Sequence, residues 1–185
     1  TEIIKNASKS NKIVVVVSAM GGETNRLVDL AKAFGDDPDK REFDALVSTG
    51  ETVSSALLTM ALHSKGVKAK SFSASQISMR TTSSYSKAKI LDVDAKKILD
   101  VVENDTIPII TGFQGVTEGG DVTTLGRGGS DTTAVAIAAQ ISAIRCDIYT
   151  DVDGIFTTDP SVVPNAKKLD SITMEEMLEL AGQGA

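Results

Sequence analysis

Apolar residues along the chain fall into two alternating patterns. Ile13-Val14-Val15-Val16-Val17 and Ile107-Pro108-Ile109-Ile110-Thr111 are continuous and β-branched, the pattern of strands buried on both faces of a parallel sheet. Between and around them the apolar positions recur at helical spacing: Leu27, Val28, Leu30 and Ala31; Val53, Ala56, Leu57, Met60 and Ala61; Ile98, Leu99, Val101 and Val102. Thr1 to Lys12 is polar and reads as the tail of a helix plus a turn, Gly66 to Phe72 as a short strand, and Val116 to Thr124 as a hairpin turning at Glu118-Gly119-Gly120-Asp121. Asp147 to Thr150 reads as one more strand, and Thr173-Met174-Glu175-Glu176 as a capping box that opens a helix. No repeat or low-complexity segment divides the chain. The alternation predicts an α/β fold, a three-layer sandwich with a mainly parallel sheet between helices.

Composition narrows the function classes. With 185 residues, 41% of them hydrophobic, the chain can build one globular core or part of a larger one. The longest purely aliphatic run, Ile13 to Val17, is far too short to span a bilayer, and no basic-then-apolar leader opens the sequence, so a cytoplasmic location is expected. A net charge of −6 without a basic stripe argues against nucleic-acid or anionic-membrane partners. The single Cys146 rules out an internal disulfide and is expected as a small buried residue before a strand. Lone His63 sits near a helix end and reads as structural or solvated.

Candidate chemistry concentrates in Thr123-Thr124-Leu125-Gly126-Arg127-Gly128-Gly129-Ser130-Asp131-Thr132-Thr133, which runs straight into Ala134-Val135-Ala136-Ile137-Ala138-Ala139. A strand end breaks into glycines, Ser130 or Asp131 is suited to cap the helix, and no charge follows until Arg145. Glycines leave main-chain N–H groups open, and the helix terminus adds partial positive charge, so an anion is the natural occupant. Arg127 strengthens this, since its fork suits a carboxylate or a phosphate, and Asp131 adds a carboxylate able to orient a cation or a nucleophile. A tight strand-to-helix turn with a polar cap would use similar glycines, but not with Arg and Asp inside it. Ser18-Ala19-Met20-Gly21-Gly22-Glu23-Thr24-Asn25 is a second small-residue loop at a strand's carboxyl end, and Glu51 lies near a helix N-terminus, where it could merely complement the dipole.

From Thr124 the run Thr-Leu-Gly-Arg-Gly-Gly-Ser-Asp resembles, without a break, the motif that aspartate kinases of the amino acid kinase family carry at this turn. Thr150-Asp151-Val152-Asp153-Gly154-Ile155-Phe156-Thr157-Thr158-Asp159-Pro160 is a second close likeness, and Val-Val-Val-Ser-Ala-Met and Ser-Thr-Gly-Glu support it. The resemblance covers the chain from Ile13. It implies ATP-dependent phosphorylation of the side-chain carboxylate of L-aspartate to 4-phospho-L-aspartate, the entry to lysine, threonine and methionine synthesis, with Mg2+ accompanying the nucleotide and no dedicated metal cage. By the same resemblance Arg127 and Asp131 are catalytic. Thr24, Glu51, Phe113, Arg127, Gly128, Gly129 and Ser130 would meet the substrate, with Glu51 taking its ammonium group. Ser18, Ser130, Thr150, Asp151, Phe156, Thr157, Thr158, Asp159, Pro160 and Ser161 would line the ATP site. Asp-x-Asp-Gly at 151–154 also suggests a calcium loop, but the bidentate glutamate is missing and Pro160 intervenes.

Several positions depart from the family pattern. Ser78 stands where glycine is usual, Tyr85 where histidine is, Lys89 where arginine is, and Phe156 where tyrosine is. The 76–90 segment, rich in Ser, Thr and Lys, is expected as a functional flap. Nothing like the family's Lys-Phe-Gly-Gly-Thr precedes Ile13, and the family's lysine-bearing segment after Gly-Gln-Gly-Ala is not in the chain. Residues 1–185 are therefore expected to be a partial catalytic domain without its regulatory domain, inactive alone, from a full-length homo-oligomer. The alternatives are a kinase acting on acetylglutamate, glutamate or UMP, and a silent binding module of the same fold.

Overall fold

The two continuous β-branched runs become neighbouring strands. In the computed structural model, which describes residues 1–150, 154–158, 162–173 and 175–177, β1 (Val15–Val17) pairs in parallel with β5 (Ile107–Thr111), and β5 with β2 (Ala69–Phe72). The register sets Val15 opposite Ile109, Val17 opposite Thr111, and Phe72 opposite Ile110. Alternation along each strand then splits the side chains between two cores. Ile109, Ile107, Ala69, Val15 and Val17 face α1 (Glu2–Ala7) and α4 (Thr49–His63) through Ile4, Leu58 and Leu62. Ile110, Val14, Val16 and Phe72 face α5 (Ala95–Glu103) and α6 (Gly129–Gln140) through Ile98 and Ile137. The architecture is thus α/β with a mainly parallel sheet between helices. Only β5 is buried throughout. The β1 valines, expected to be buried on both faces, are half-buried, because β1 stands at the end of the described three-stranded order β1-β5-β2.

A second, mixed sheet has the order β4-β3-β6-β7, from β3 (Arg80–Thr81), β4 (Ile90–Asp92), β6 (Gln114–Val116) and β7 (Val122–Thr124). The expected 116–124 hairpin is β6–β7, closed by Thr117 N–H donating to the Asp121 carbonyl at 2.9 Å. The 76–90 segment is no linker: Thr82 N–H donates to the Lys89 carbonyl at 3.0 Å, and Tyr85 Oη–H to Asp121 at 3.2 Å.

α2 (Glu23–Lys32) and α3 (Lys40–Val47) complete the first unit, which ends at Cys146. By length and apolar content Lys40–His63 would pass for a membrane span, yet it holds the buried carboxylates of Asp44 and Glu51 and packs Leu62 on the sheet, as a core helix pair does. Within α4 the row that sets the helical period, Val53, Leu57 and Met60, is exposed. The sheet side is Ser54, Ser55, Thr59 and Leu62, small hydroxyls that let the helix approach closely. His63 ends the helix with its Nε2 hydrogen-bonded to the Ala69 carbonyl at 2.7 Å, a structural role.

The second unit, Asp147–Ala185, is smaller. Its described part holds a bridge between Phe156 and Lys168, with Leu169 N–H donating to the Ile155 carbonyl at 2.8 Å. The capping box forms as expected: Thr173 Oγ1 accepts from Glu176 N–H at 3.2 Å, and Glu176 Oε2 accepts from Thr173 N–H at 2.9 Å. The Thr173 N–H and hydroxyl, both donating to Glu176 Oε2 at 2.9 Å, hold the Glu176 carboxyl below its usual range. Two expectations fail here. Cys146 is exposed, and 147–150 form no strand.

Candidate active site

The carboxyl ends of β1 and β5 open onto four short segments that touch one another. After β1 the chain leaves through exposed Ser18 and half-buried Ala19 and reaches Gly22, whose left-handed backbone (φ +79°) starts α2 with half-buried Thr24 in its first turn. Gly50, at the start of α4, is pressed on this loop: a Cβ there would lie 2.8 Å from the Ala19 Cβ. Glu51 follows in the first helical turn, as its sequence position suggested. It is only 3% exposed, and its Oε1 accepts the Ala19 N–H at 3.0 Å. Its Oε2 has no hydrogen-bond partner among the described residues. Burial pushes the Glu51 carboxyl above its usual range, against the pull of its own and the Ala19 N–H. A buried carboxylate with one oxygen unmet is costly alone and complete when a cation arrives.

From β5, Gly112 N–H donates to the Val17 carbonyl at 2.9 Å, which joins this strand end to the first loop. Phe113 then turns with φ +65°, and its N–H donates to Thr133 Oγ1 of α6 at 3.2 Å. Here the anion turn arrives. Gly126 and Gly128 are left-handed (φ +82° and +67°), so a side chain at either would be strained. The expected side-chain cap is absent: Gly128, not Ser130 or Asp131, is the N-cap, and α6 begins at Gly129, ahead of both expected caps. Close approach explains the bare backbone. A Cβ on Gly129 would stand 2.7 Å from the Phe113 ring, and one on Gly112 would stand 2.7 Å from Ser130 Oγ. Arg127 and Asp131 are exposed, and neither has a hydrogen bond or ion pair to a described residue. The turn therefore offers open N–H groups, a helix terminus and an unengaged guanidinium.

Ser18, Thr24, Glu51, Phe113 and the 127–131 residues thus belong to one sheet edge, linked contact by contact. Of the expected nucleotide residues, Ser18 and Ser130 belong to this edge and the rest fall in the second unit. Thr150 is exposed, Phe156 half-buried at its bridge, Thr157 accepts through Oγ1 from Lys167 N–H at 3.1 Å, and Thr158 is half-buried. Asp151, Asp159, Pro160 and Ser161 lie outside the described residues. Among the described residues no three His, Cys, Asp or Glu side chains converge on a point.

Sequence reasoning missed Gln114. It is buried, accepts from Thr111 Oγ1 at 2.9 Å, and donates its amide to the Ser48 carbonyl and to Thr52 Oγ1. This fixes the α3–α4 junction, three residues before Glu51. A glutamine inside a strand end flanked by glycines carries no periodic signal that would reveal such a span.

The profile of the amino acid kinase family matches residues 1–185. The chain is 54% identical over 184 residues to the aspartate kinase of Pseudomonas putida, covering all of this chain and 45% of that protein. It is 56% identical over 173 residues to an aspartate kinase of Stutzerimonas stutzeri, covering 94% and 42%. The chain spans less than half the length of these relatives. Among solved structures it resembles Escherichia coli aspartokinase III in complex with aspartate and ADP, with a TM-score of 0.87 at 30% identity over 98% of this chain and 51% of that one. It also resembles the aspartate kinase of Synechocystis, with a TM-score of 0.79 at 43% identity over 98% and 30%. A parallel sheet whose carboxyl edge gathers these loops, together with a family profile matched from the first residue to the last, identifies the chain as a member of the amino acid kinase family.

Proposed function

We propose that this chain is the catalytic part of an ATP-dependent aspartate kinase, in which the side-chain carboxylate of L-aspartate attacks the γ-phosphorus of ATP, ADP leaves, and 4-phospho-L-aspartate forms. The observation that carries this is Glu51: a buried acid with one oxygen unmet, on the same sheet edge as the unengaged Arg127. An amino acid needs one anion for its ammonium and one cation for its carboxylate, and this edge has both. The curated relatives named aspartate kinase, and the resemblance to a structure that holds aspartate and ADP, support the same substrates.

In this reading the protein has little covalent work to do, because a carboxylate is already a nucleophile. Catalysis is the holding of two anions in line and the offsetting of charge on the phosphoryl group. Glu51 binds the ammonium, Arg127 a substrate carboxylate, and Phe113 covers the substrate. The Gly128 and Ser130 N–H groups face phosphate, with Gly129 between them closing the turn through its own N–H to the Gly126 carbonyl at 3.1 Å, while Asp131 orients donors rather than taking a proton. Ser18 and Thr24 serve the nucleotide and the substrate. Thr150, Asp151 and the 156–161 segment serve the nucleotide's base and ribose. Mg2+ bound with ATP would supply charge neutralisation at the phosphates, and Asp131 is a single carboxylate that would help hold it; no cluster of three metal-ligating side chains occurs among the described residues.

The test is a calorimetric titration with aspartate, acetylglutamate, glutamate and UMP, each in the presence of ADP, alongside coupled ADP release from the protein that carries this chain. Aspartate alone among the four should bind. Arg127→Ala should weaken aspartate by about 1.5–3 kcal/mol, the worth of a charge-assisted, bidentate partner. Equal binding by variant and wild type would remove Arg127 from the site.

A further inference from the structure

Three segments remote in sequence meet on a single carboxylate. Asp44, in the middle of α3, is fully buried. Its Oδ2 accepts the main-chain N–H of Ser86 and that of Thr124, each at 2.8 Å. Its Oδ1 accepts the hydroxyls of the same two residues, at 3.0 and 2.9 Å. None of its described partners is a cation. Arg41, one turn earlier, is engaged by Glu42 and by Asp121, the latter at 2.8 Å.

A carboxylate buried without a counter-ion is an expensive way to obtain stability, and a well-packed apolar residue would often serve as well. What it can do and an apolar residue cannot is hold two N–H vectors in one place. Both belong to the site's surroundings. Thr124 ends β7, and the next residues are Leu125 and the Gly126–Asp131 turn. Ser86 is left-handed (φ +64°) in the β3–β4 loop, and its carbonyl oxygen lies 3.2 Å from where a Gly126 Cβ would stand. Ala88 N–H adds a bond to the Thr124 carbonyl at 2.9 Å.

We propose that Asp44 is a positioning residue: it locks the β3–β4 loop to the strand end that carries the Arg127 turn, so that the two act as one body and Arg127 is held in place for the substrate. The substrate half of this rests on the aspartate kinase reading. The clamp itself does not.

The bond pattern yields an unusual control. Asparagine can keep its oxygen toward the two N–H groups and turn its NH2 toward the two hydroxyls, which rotate to accept. Asp44→Asn should therefore behave like the wild type, and Asp44→Ala should not. In Asp44→Ala, amide exchange should rise about 10-fold or more at 86–88 and 124–128 together while β5 is unchanged, since the opening is local. Aspartate affinity should fall by about 10-fold or more, with ADP affinity within about 2-fold. Ser86→Ala, at a half-exposed site, removes one hydroxyl donor and should show the same paired pattern at about 2–5-fold, which keeps the test alive if Asp44→Ala does not fold. Exchange that rises in only one of the two segments, or uniformly along the chain, overturns the clamp. So does an asparagine variant as impaired as the alanine one, and unchanged aspartate affinity in Asp44→Ala overturns the positioning role. A wild-type protein that binds no aspartate would sink the substrate reading, and the exchange pattern would then still decide the clamp.

Discussion

Glu51→Gln should make the free protein more stable and the site worse. Oε1 accepts the Ala19 N–H, which the glutamine oxygen can keep, while the unmet Oε2 becomes an uncharged NH2. An unsatisfied buried polar group costs about 1–3 kcal/mol, so removing the charge should gain about 1 kcal/mol near neutral pH. The pH dependence follows from the direction of the shift. Burial raises the folded-state pKa above the ordinary 4.5, so between 4.5 and that raised value the unfolded chain has released a proton that the folded chain retains. Unfolding stability then falls as pH rises through this window and levels off above it. Below 4.5 both states are protonated and the variant gains nothing from charge removal. Urea unfolding of both proteins between about pH 4 and pH 8 should give midpoints that converge at the acid end and separate toward neutrality, with the glutamine form higher. Aspartate binding should move the other way, about 10-fold or more weaker in the variant because the ammonium loses its counter-charge, with ADP affinity nearly unchanged. A stability difference independent of pH, or a glutamine form less stable at neutral pH, would refute the account of Glu51 as a buried acid awaiting a cation.

Gly129→Ala should cost about 1–3 kcal/mol, read from the thermal midpoint, because the new Cβ would stand 2.7 Å from the Phe113 ring and 3.2 Å from both the Phe113 Cα and the Leu125 Cβ. Unchanged stability would mean that Phe113 moves freely, which its N–H bond to Thr133 argues against. Ser78→Gly should leave stability unchanged or raise it by up to about 1 kcal/mol, since relief of a left-handed backbone (φ +50°) outweighs the freedom added to the unfolded chain. Its one exposed bond, from Lys97 Nζ at 2.7 Å, is a small loss, and a clear drop in the melting temperature would refute this.

What the sequence discloses depends on whether a residue's neighbours are local. The strands of the three-stranded sheet, the β6–β7 hairpin, the Thr173–Glu176 box and Glu51's place in a first helical turn rest on adjacent residues, and each is where the pattern puts it, whereas the strand expected at 147–150 is not formed. The glycine turn is equally legible, but its cap is not: Gly128 starts α6 in a left-handed conformation (φ +67°) that favours glycine, and the next residue, Gly129, has no room for a side chain against Phe113. Helical spacing likewise reveals that α4 is a helix without saying which face turns inward, and the serines, not Val53, Leu57 and Met60, meet the sheet. Asp44 is the extreme case. In Lys-Arg-Glu-Phe-Asp-Ala-Leu-Val it looks like one more solvated charge, because its partners come from Ser86 and Thr124, far along the chain. Tyr85, which departs from the family's histidine, still finds a partner in Asp121, and that bond together with burial holds its hydroxyl above the usual tyrosine range.

The place of β5 in the sheet bears on how the protein is made. Its neighbours β1 and β2 both precede it, and neither pairs with the other. Roughly ninety residues separate β1 from β5, so at about 5–20 residues per second a ribosome needs about 5–20 seconds to deliver the strand that both are waiting for. Throughout that interval Val15–Val17 has no described ladder partner to pair with. Nascent chains at this stage present an adhesive edge, and crowding several on one messenger RNA, or stalling translation ahead of Ile107, should favour aggregation over folding.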